Sequence, residues 1–267
     1  MLKDITLGQY FPGDTVIHRL DPRTKLVLVV VYIVALFLAK SFVSYALMLA
    51  FLLAVIWISK IKLNVILKSL KPLILIIVLT AILNLFYSAG EPLVKFWIFT
   101  ITREGLINAA FMVLRITLLV AGTFMLTYTT SPILLTDGLE SLLSPLKKLR
   151  VPVHELAMMM CIALRFIPSL ISETDKIMSA QKARGADFES GNLISRAKAL
   201  IPILVPLFIG SFRRADELAT AMECRCYHGG EGRTKLNPLH YALRDLWAYL
   251  VGAALLALVI VLRRYGL

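Results

Sequence analysis

Charge is what this 267-residue chain has little of: 17% of its residues are Asp, Glu, Lys or Arg, against about 25% in soluble domains. Hydrophobic residues make up 58%, more apolar side chain than a water-soluble core of this size absorbs. Cysteine is scarce as well. The three present, Cys161, Cys224 and Cys226, are an odd number and fall in a stretch read below as cytoplasmic, which argues against a disulfide framework. A cleavable leader is missing too, since residues 1–19 carry charges, Gly8, Pro12 and Gly13 but no apolar run before a small-residue cleavage site. The N-terminal segment is therefore expected to stay on the mature chain.

What the chain does have is long apolar runs, at 26–39, 42–59, 72–90, 105–130 and 246–262, on the scale of the roughly 20 residues that cross a bilayer as a helix. The first is short, and it is expected to form a tight hairpin with the second, turning at Lys40 and Ser41. The fold class is an all-α integral membrane protein with about five transmembrane helices and a cytoplasmic domain of long amphipathic helices. Three regions follow: 1–130 with four spans, 131–240 as the cytoplasmic domain, and 241–267 as a C-terminal span.

The formal net charge of +12 is compatible with nucleic acid, anionic lipid or an acidic partner. Its distribution decides. Lys60, Lys62, Lys68 and Lys71 crowd one short loop between spans, as cytoplasmic loops do. Segment 131–240 holds fourteen Lys/Arg and eleven Asp/Glu. That near balance suits an interaction domain rather than a nucleic-acid surface, which clusters one sign and interleaves aromatics. With the lysine loop inside, the N-terminus is cytoplasmic and 91–104 lies outside, where its aromatic and β-branched residues predict a short hairpin and Trp97 can serve as an interfacial anchor. Five spans leave the C-terminus outside, an arrangement that Arg263 and Arg264 oppose.

Three helical pieces are predicted in the cytoplasmic stretch, at 132–149, 153–184 and 192–225. The second places Leu156, Met159, Met160, Ala163, Phe166, Ile167 and Leu170 at helical spacing and then turns polar. The third repeats this, with Ile201, Leu204, Leu207, Phe208 and Phe212 ahead of its charged end. Pro168, Pro202 and Pro206 are expected to bend these helices or start them afresh.

The ends of the two long helices repeat at an offset of 41 residues. Asp175 aligns with Asp216, Ile177 with Leu218, Ser179 with Thr220, Ala180 with Ala221, Ala183 with Cys224, Arg184 with Arg225 and Gly185 with Cys226. Lys176 and Lys182 align with Glu217 and Glu223, so the copies share a shape but differ in charge. Ile177, Ala180 and Arg184 fall on one helix face, as do Leu218, Ala221 and Arg225. Each copy is thus an apolar stripe ending in an Arg between small residues, which leaves room for a partner's acidic or carbonyl groups to close on the guanidinium. The alternative is that both helices merely end in a basic residue that complements the helix dipole, followed by a cap.

These tips, Ala183-Arg184-Gly185 and Cys224-Arg225-Cys226, resemble the paired Ala-Arg-Gly signatures of the transmembrane T component of energy-coupling-factor transporters. The segment His18-Arg-Leu-Asp-Pro-Arg-Thr-Lys-Leu26 is similar to that family's approach to its first span. The second tip departs by having Cys where Ala and Gly are usual, and Cys tolerates a left-handed cap less well than Gly. The resemblance implies a non-catalytic coupling subunit in the plasma membrane of a prokaryote. Its Arg tips would sit in grooves on two ATP-binding-cassette ATPases, which carry the ATP and Mg, and its spans would hold a substrate-capturing S component for a vitamin or other micronutrient. No nucleic acid partner is implied, and the S component chooses the substrate.

Other candidate sites are weaker. Gly8-Gln-Tyr-Phe-Pro-Gly13-Asp14-Thr15 approaches a phosphate-binding loop, but Asp14 stands where the Lys must be and would repel phosphate. Cys224, Cys226 and His228 lack a fourth metal ligand nearby. Arg115, in the middle of the fourth span, is either paired within the bundle, to Asn84 or helix carbonyls, or used in S-component contact or gating. His154 and Glu155 lack the partners of a hydrolase, so an intramembrane enzyme acting on lipid or peptide is the second reading, and a membrane anchor for a signalling assembly the third. The run Met158-Met159-Met160 suits a surface that accepts several S components.

Overall fold

The structure is a computed structural model that describes residues 10–87, 92–96, 99–186, 188, 192–230 and 234–265, with side chains for all of these except 86, 87, 92–96, 99–101, 193 and 195–197. It is helical apart from one hairpin, and it divides into two compact units. One comprises Gly8–Ser141 with Leu239–Leu267, the other chiefly Leu142–Pro238.

In the first unit, Asp21 starts α1 (Pro22–Leu38): its carboxylate accepts from the Arg23 N–H, and Pro22 occupies the first turn, where a missing N–H costs nothing. Ser41 caps α2 (Phe42–Ser59) by accepting from the Ser44 N–H. Lys60, at φ 57°, makes the left-handed turn out of it. Next come α3 (Leu63–Leu70), a 3-10 turn at Lys71–Leu73 and α4 (Ile74–Tyr87). The expected lysine loop is thus mostly helix: Ile66 and Leu70 bury one face of α3 while Lys68 and Lys71 stay exposed. Strands β1 (Pro92–Phe96) and β2 (Phe99–Thr102) form the expected hairpin, antiparallel with a bulge between Pro92 and Val94; Trp97 lies outside the described residues. The Thr102 hydroxyl then caps α5 (Arg103–Thr129) at the Gly105 N–H. After α6 (Pro132–Leu143) the chain leaves the unit, returning as α9 (Leu243–Tyr265).

The core gathers Tyr32, Leu36, Met48, Leu118, Met125, Tyr128 and Val259, and two glycines let its helices close. A Cβ on Gly122 would lie 2.4 Å from Tyr32 Cε1, and one on Gly252 would lie 2.5 Å from Leu28 Cδ2. Small residues at such contacts are what lets helices approach where lipid removes the hydrophobic drive. The turn at Lys40 and Ser41 is where it was expected, yet α1 packs chiefly on α9 and α5 rather than on α2, because those helices carry the glycines.

Among the described residues, five helical stretches are long and apolar enough to cross a membrane: Phe42–Ser59, Leu63–Leu85, Arg103–Thr129, Val153–Ala183 and Leu243–Tyr265. Together they mark a multi-pass, all-α membrane protein. The 17 residues of α1 make a helix of about 25 Å, slightly short of the roughly 30 Å hydrocarbon core.

A polar knot closes one end of this unit. Lys25 Nζ is buried and donates to the His18 carbonyl at 3.1 Å, the Thr129 carbonyl at 2.9 Å and Thr130 Oγ1 at 3.0 Å. The buried Asp245 carboxylate accepts the Asp21 N–H and the Ala242 N–H, both at 2.8 Å. Beside it, Arg23 donates to the Leu239 carbonyl and lies 5.1 Å from the Tyr241 ring centre. His18 Nε2 donates to the Phe11 carbonyl, its Nδ1 accepts from Thr15, and burial holds its pKa below the ordinary value. The motif at 18–26 is therefore the buckle between the start of α1, the end of α5 and the start of α9.

Replacing Lys25 by Met removes the cation that reaches these three acceptors. A cost of about 3 kcal/mol is expected, because buried acceptors are left unsatisfied. Thermal unfolding in detergent should show a clearly lowered midpoint, with no change for the exposed Lys40→Met.

Candidate functional site: two arginine-tipped helices

The second unit is built on two helices of equal length, α7 (Val153–Ala183) and α8 (Leu193–Glu223), each of 31 residues. α7 is apolar in its first half, which is why it also satisfies the length and composition of a span. Pro168, Pro202 and Pro206 lie inside these helices, and none starts a new one. Each costs a backbone bond, yet the helices continue on both sides. The piece expected at 132–149 is α6 followed by a 3-10 turn at Ser144–Leu149, where Pro145 stands.

Both helices end in the same way. The Ala186 N–H donates to the Gln181 carbonyl at 3.0 Å and the Gly185 N–H to the Lys182 carbonyl at 3.0 Å. The Tyr227 N–H donates to the Met222 carbonyl at 3.0 Å and the Cys226 N–H to the Glu223 carbonyl at 2.9 Å. These paired bonds are a Schellman cap, formed twice at positions 41 residues apart. The cap requires a left-handed residue, and it falls at Gly185 (φ 85°) and Cys226 (φ 55°). Arg184 and Arg225 stand one residue before it, at the point where each helix ends.

Because the backbone caps satisfy the terminal carbonyls, the guanidinium groups are not needed for that task. Both arginines are exposed, and neither side chain has a hydrogen-bond or ion-pair partner among the described residues. Around them Ala183, Gly185, Cys224 and Cys226 are exposed, as are Ala180 and Ala221, while Ile177 and Leu218 are half-buried. The stripe that ends at each Arg is thus open to a partner over most of its length.

Arg115 is paired within the bundle, one of the two expectations for it. Arg115 Nε donates to the Tyr45 hydroxyl at 2.8 Å and Nη2 to the Ala39 carbonyl at 3.4 Å, with Phe37 and Tyr45 rings within 6 Å. Asn84 takes no part and donates to the Thr80 carbonyl of its own helix. None of Cys161, Cys224 and Cys226 forms a disulfide, and Cys224, Cys226 and His228 are not drawn into a metal-ligating group among the described residues. The segment 8–15 lies partly outside the described residues; a Cβ on Gly13 would lie 3.0 Å from the His18 ring. Sequence reasoning missed one contact in this unit: the Glu173 carboxylate accepts from Arg214 Nη2, joining α7 to α8.

The family model for CbiQ, a cobalt transport protein, matches residues 13–236. An energy-coupling factor transporter transmembrane protein of Clostridium kluyveri is 57% identical over 265 residues, covering 98% of both chains. Proteins of the same description from Acidaminococcus fermentans and Thermosediminibacter oceani are 54% and 53% identical, over 98% and 99% of both chains.

The left-handed residue at 226 makes a test of the cap. Cys226→Gly relieves about 1 kcal/mol of steric cost, whereas Cys226→Val, branched at Cβ, adds to it. Hydrogen exchange at the Tyr227 amide should slow in the first variant and quicken in the second.

Proposed function

Because this chain belongs to the CbiQ family of cobalt transport proteins, and its relatives across nearly its full length are energy-coupling factor transporter transmembrane proteins, we propose that it is the non-catalytic coupling subunit of such a transporter. Two cassette ATPases dock on the Arg184 and Arg225 tips, each guanidinium entering a groove lined with carboxylates or carbonyls. ATP and Mg stay on the ATPases. Their closure moves the tips, and α7 and α8 carry the motion to a membrane-embedded S component that holds a vitamin or other micronutrient. In this reading the tips and the N-terminus face the cytoplasm of a prokaryote.

The observation that supports this most is the duplicated tip. A helix end needs one cap, and here the caps are complete without the arginines, yet both copies present an exposed, unpaired guanidinium at the same place. An Arg there offers a planar fork of donors that binds carboxylates or carbonyls in two contacts at once. Two equivalent tips on one chain suit two ATPase subunits. The apolar, exposed residues Met159, Met160, Ile201, Phe208 and Phe212 along the same helices offer the surface for the S component.

Arg184→Ala or Arg225→Ala should weaken ATPase attachment by roughly 30-fold to several thousandfold, the equivalent of about 2–5 kcal/mol for truncating one side of a buried charge contact. Arg→Lys should also bind poorly, whereas Lys182→Ala and Glu223→Ala should change attachment little. Co-purification of each variant with the ATPases measures this; a double Arg184→Ala, Arg225→Ala chain that still assembles overturns the reading.

Purified alone, the chain should hydrolyse no ATP, gaining activity only with the ATPases bound. Cys224→Ala with Cys226→Gly should keep assembly, because these positions need small size rather than thiols.

A further inference from the structure

The Glu173–Arg214 pair connects residues that are 41 positions apart, the same offset that relates the two tips. Glu173 and Arg214 are therefore the same position in the two copies of the repeat. The contact therefore joins the two helices at points equally far along the chain from their tips. Eleven residues separate Glu173 from Arg184, and eleven separate Arg214 from Arg225, so each arm is about 16 Å long at 1.5 Å per residue. Eleven residues are also close to three full turns, which puts each Arg tip on nearly the same helix face as its pivot residue.

Chemistry supports a dedicated contact. Two equivalent positions with the same charge would repel here, and the copies have diverged to opposite charges at this point. The side chains are 25% and 30% exposed, more sheltered than a surface pair, so their attraction is less screened. Gly210, one turn before Arg214, clears the way for the carboxylate: a Cβ there would lie 3.0 Å from Glu173 Oε1. Arg214 Nη1 is buried without a hydrogen-bond partner, so loss of Glu173 would leave more of the guanidinium uncompensated.

We propose that Glu173 and Arg214 are positioning residues that pin α7 and α8 at a shared pivot, making the two Arg-tipped segments equal arms whose movements are matched. The proposal rests on the coupling reading above for its use, but the pinning itself is a property of this chain alone.

The test uses the full chain in nanodiscs, with Cys161→Ser, Cys224→Ala and Cys226→Gly, and spin labels on cysteines introduced at Lys182 and Glu223, one beside each tip. Electron–electron resonance on this parent should give a single narrow label-to-label distance. Glu173→Arg, which sets two cations against each other, should lose that single distance, and the exchanged pair Glu173→Arg with Arg214→Glu should restore it. A narrow distance that survives Glu173→Arg overturns the pivot. So does failure of the exchange to restore it in a chain that still elutes as a folded monodisperse species, because that would mean the identities matter and not the pairing. With the ATPases added, Glu173→Arg should retain both of them while losing the ATP-dependent shift of the distance that the parent shows, and the exchanged pair should recover that shift. Release of the ATPases by Glu173→Arg would place the pair in the docking surface and overturn the pivot. If Arg184→Ala fails to release the ATPases, the docking reading falls while the distances and their rescue stand, so the two failures are told apart.

Discussion

Lys25 Nζ is surrounded by three oxygens from two separate parts of the chain, and the first unit depends on that arrangement. An ammonium taken out of water is costly unless its donors are met, and here the His18 carbonyl, the Thr129 carbonyl and the Thr130 hydroxyl meet them. One of these acceptors, the Thr129 carbonyl, lies at the C-terminal end of α5, where α-helices leave carbonyls unpaired. The lysine thus solves two problems at once, its own burial and the open end of α5. Asp245 does the converse for N–H groups, accepting from the backbone at Asp21 and Ala242. Helices α1, α5 and α9 are thereby gathered at one end by charges that cannot be moved apart without exposing each other. The apolar contacts through Gly122 and Gly252 then determine how closely the helices run from that end.

The second unit treats helix ends in the opposite way. There the backbone closes its own carbonyls through the Schellman bonds, and the charged side chains are left over. Arg23, Arg115 and Arg214 have partners within the chain, whereas Arg184 and Arg225 have none among the described residues. A side chain without a local task on an exposed helix tip is where a partner has the most to gain, since a fork of donors is presented with little to displace but water. The same unit holds the Glu173–Arg214 ion pair eleven positions back from each tip and half-sheltered.

Several features were readable in advance because they rest on local rules. Hydrophobic runs located the spans of α2, α5 and α9 to within a few residues, β-branched and aromatic residues indicated the hairpin, and the 41-residue repeat located the two tips. Reading Lys60 to Lys71 as a loop failed because charge was weighed above periodicity: Ile66 and Leu70 lie four apart and bury one face of a helix. Asn84 was the obvious polar partner for Arg115 within the spans, but its amide donates to the Thr80 carbonyl of its own helix, and Arg115 is met instead by Tyr45 and the Ala39 carbonyl. Prolines mark breaks only when nothing holds the helix on either side.

By itself, the sequence determined that the chain enters a membrane, that its two long helices carry duplicated ends, and that Gly185 suits a left-handed cap, because hydropathy, repetition and backbone preference are properties of neighbouring residues. Tertiary structure alone decided which buried oxygens Lys25 would find, that Tyr45 and the Ala39 carbonyl would hold Arg115, and that Glu173 would meet its own counterpart in the second copy. Each of those outcomes joins groups far apart along the chain, and their partners are chosen by how helices pack, which no local pattern states.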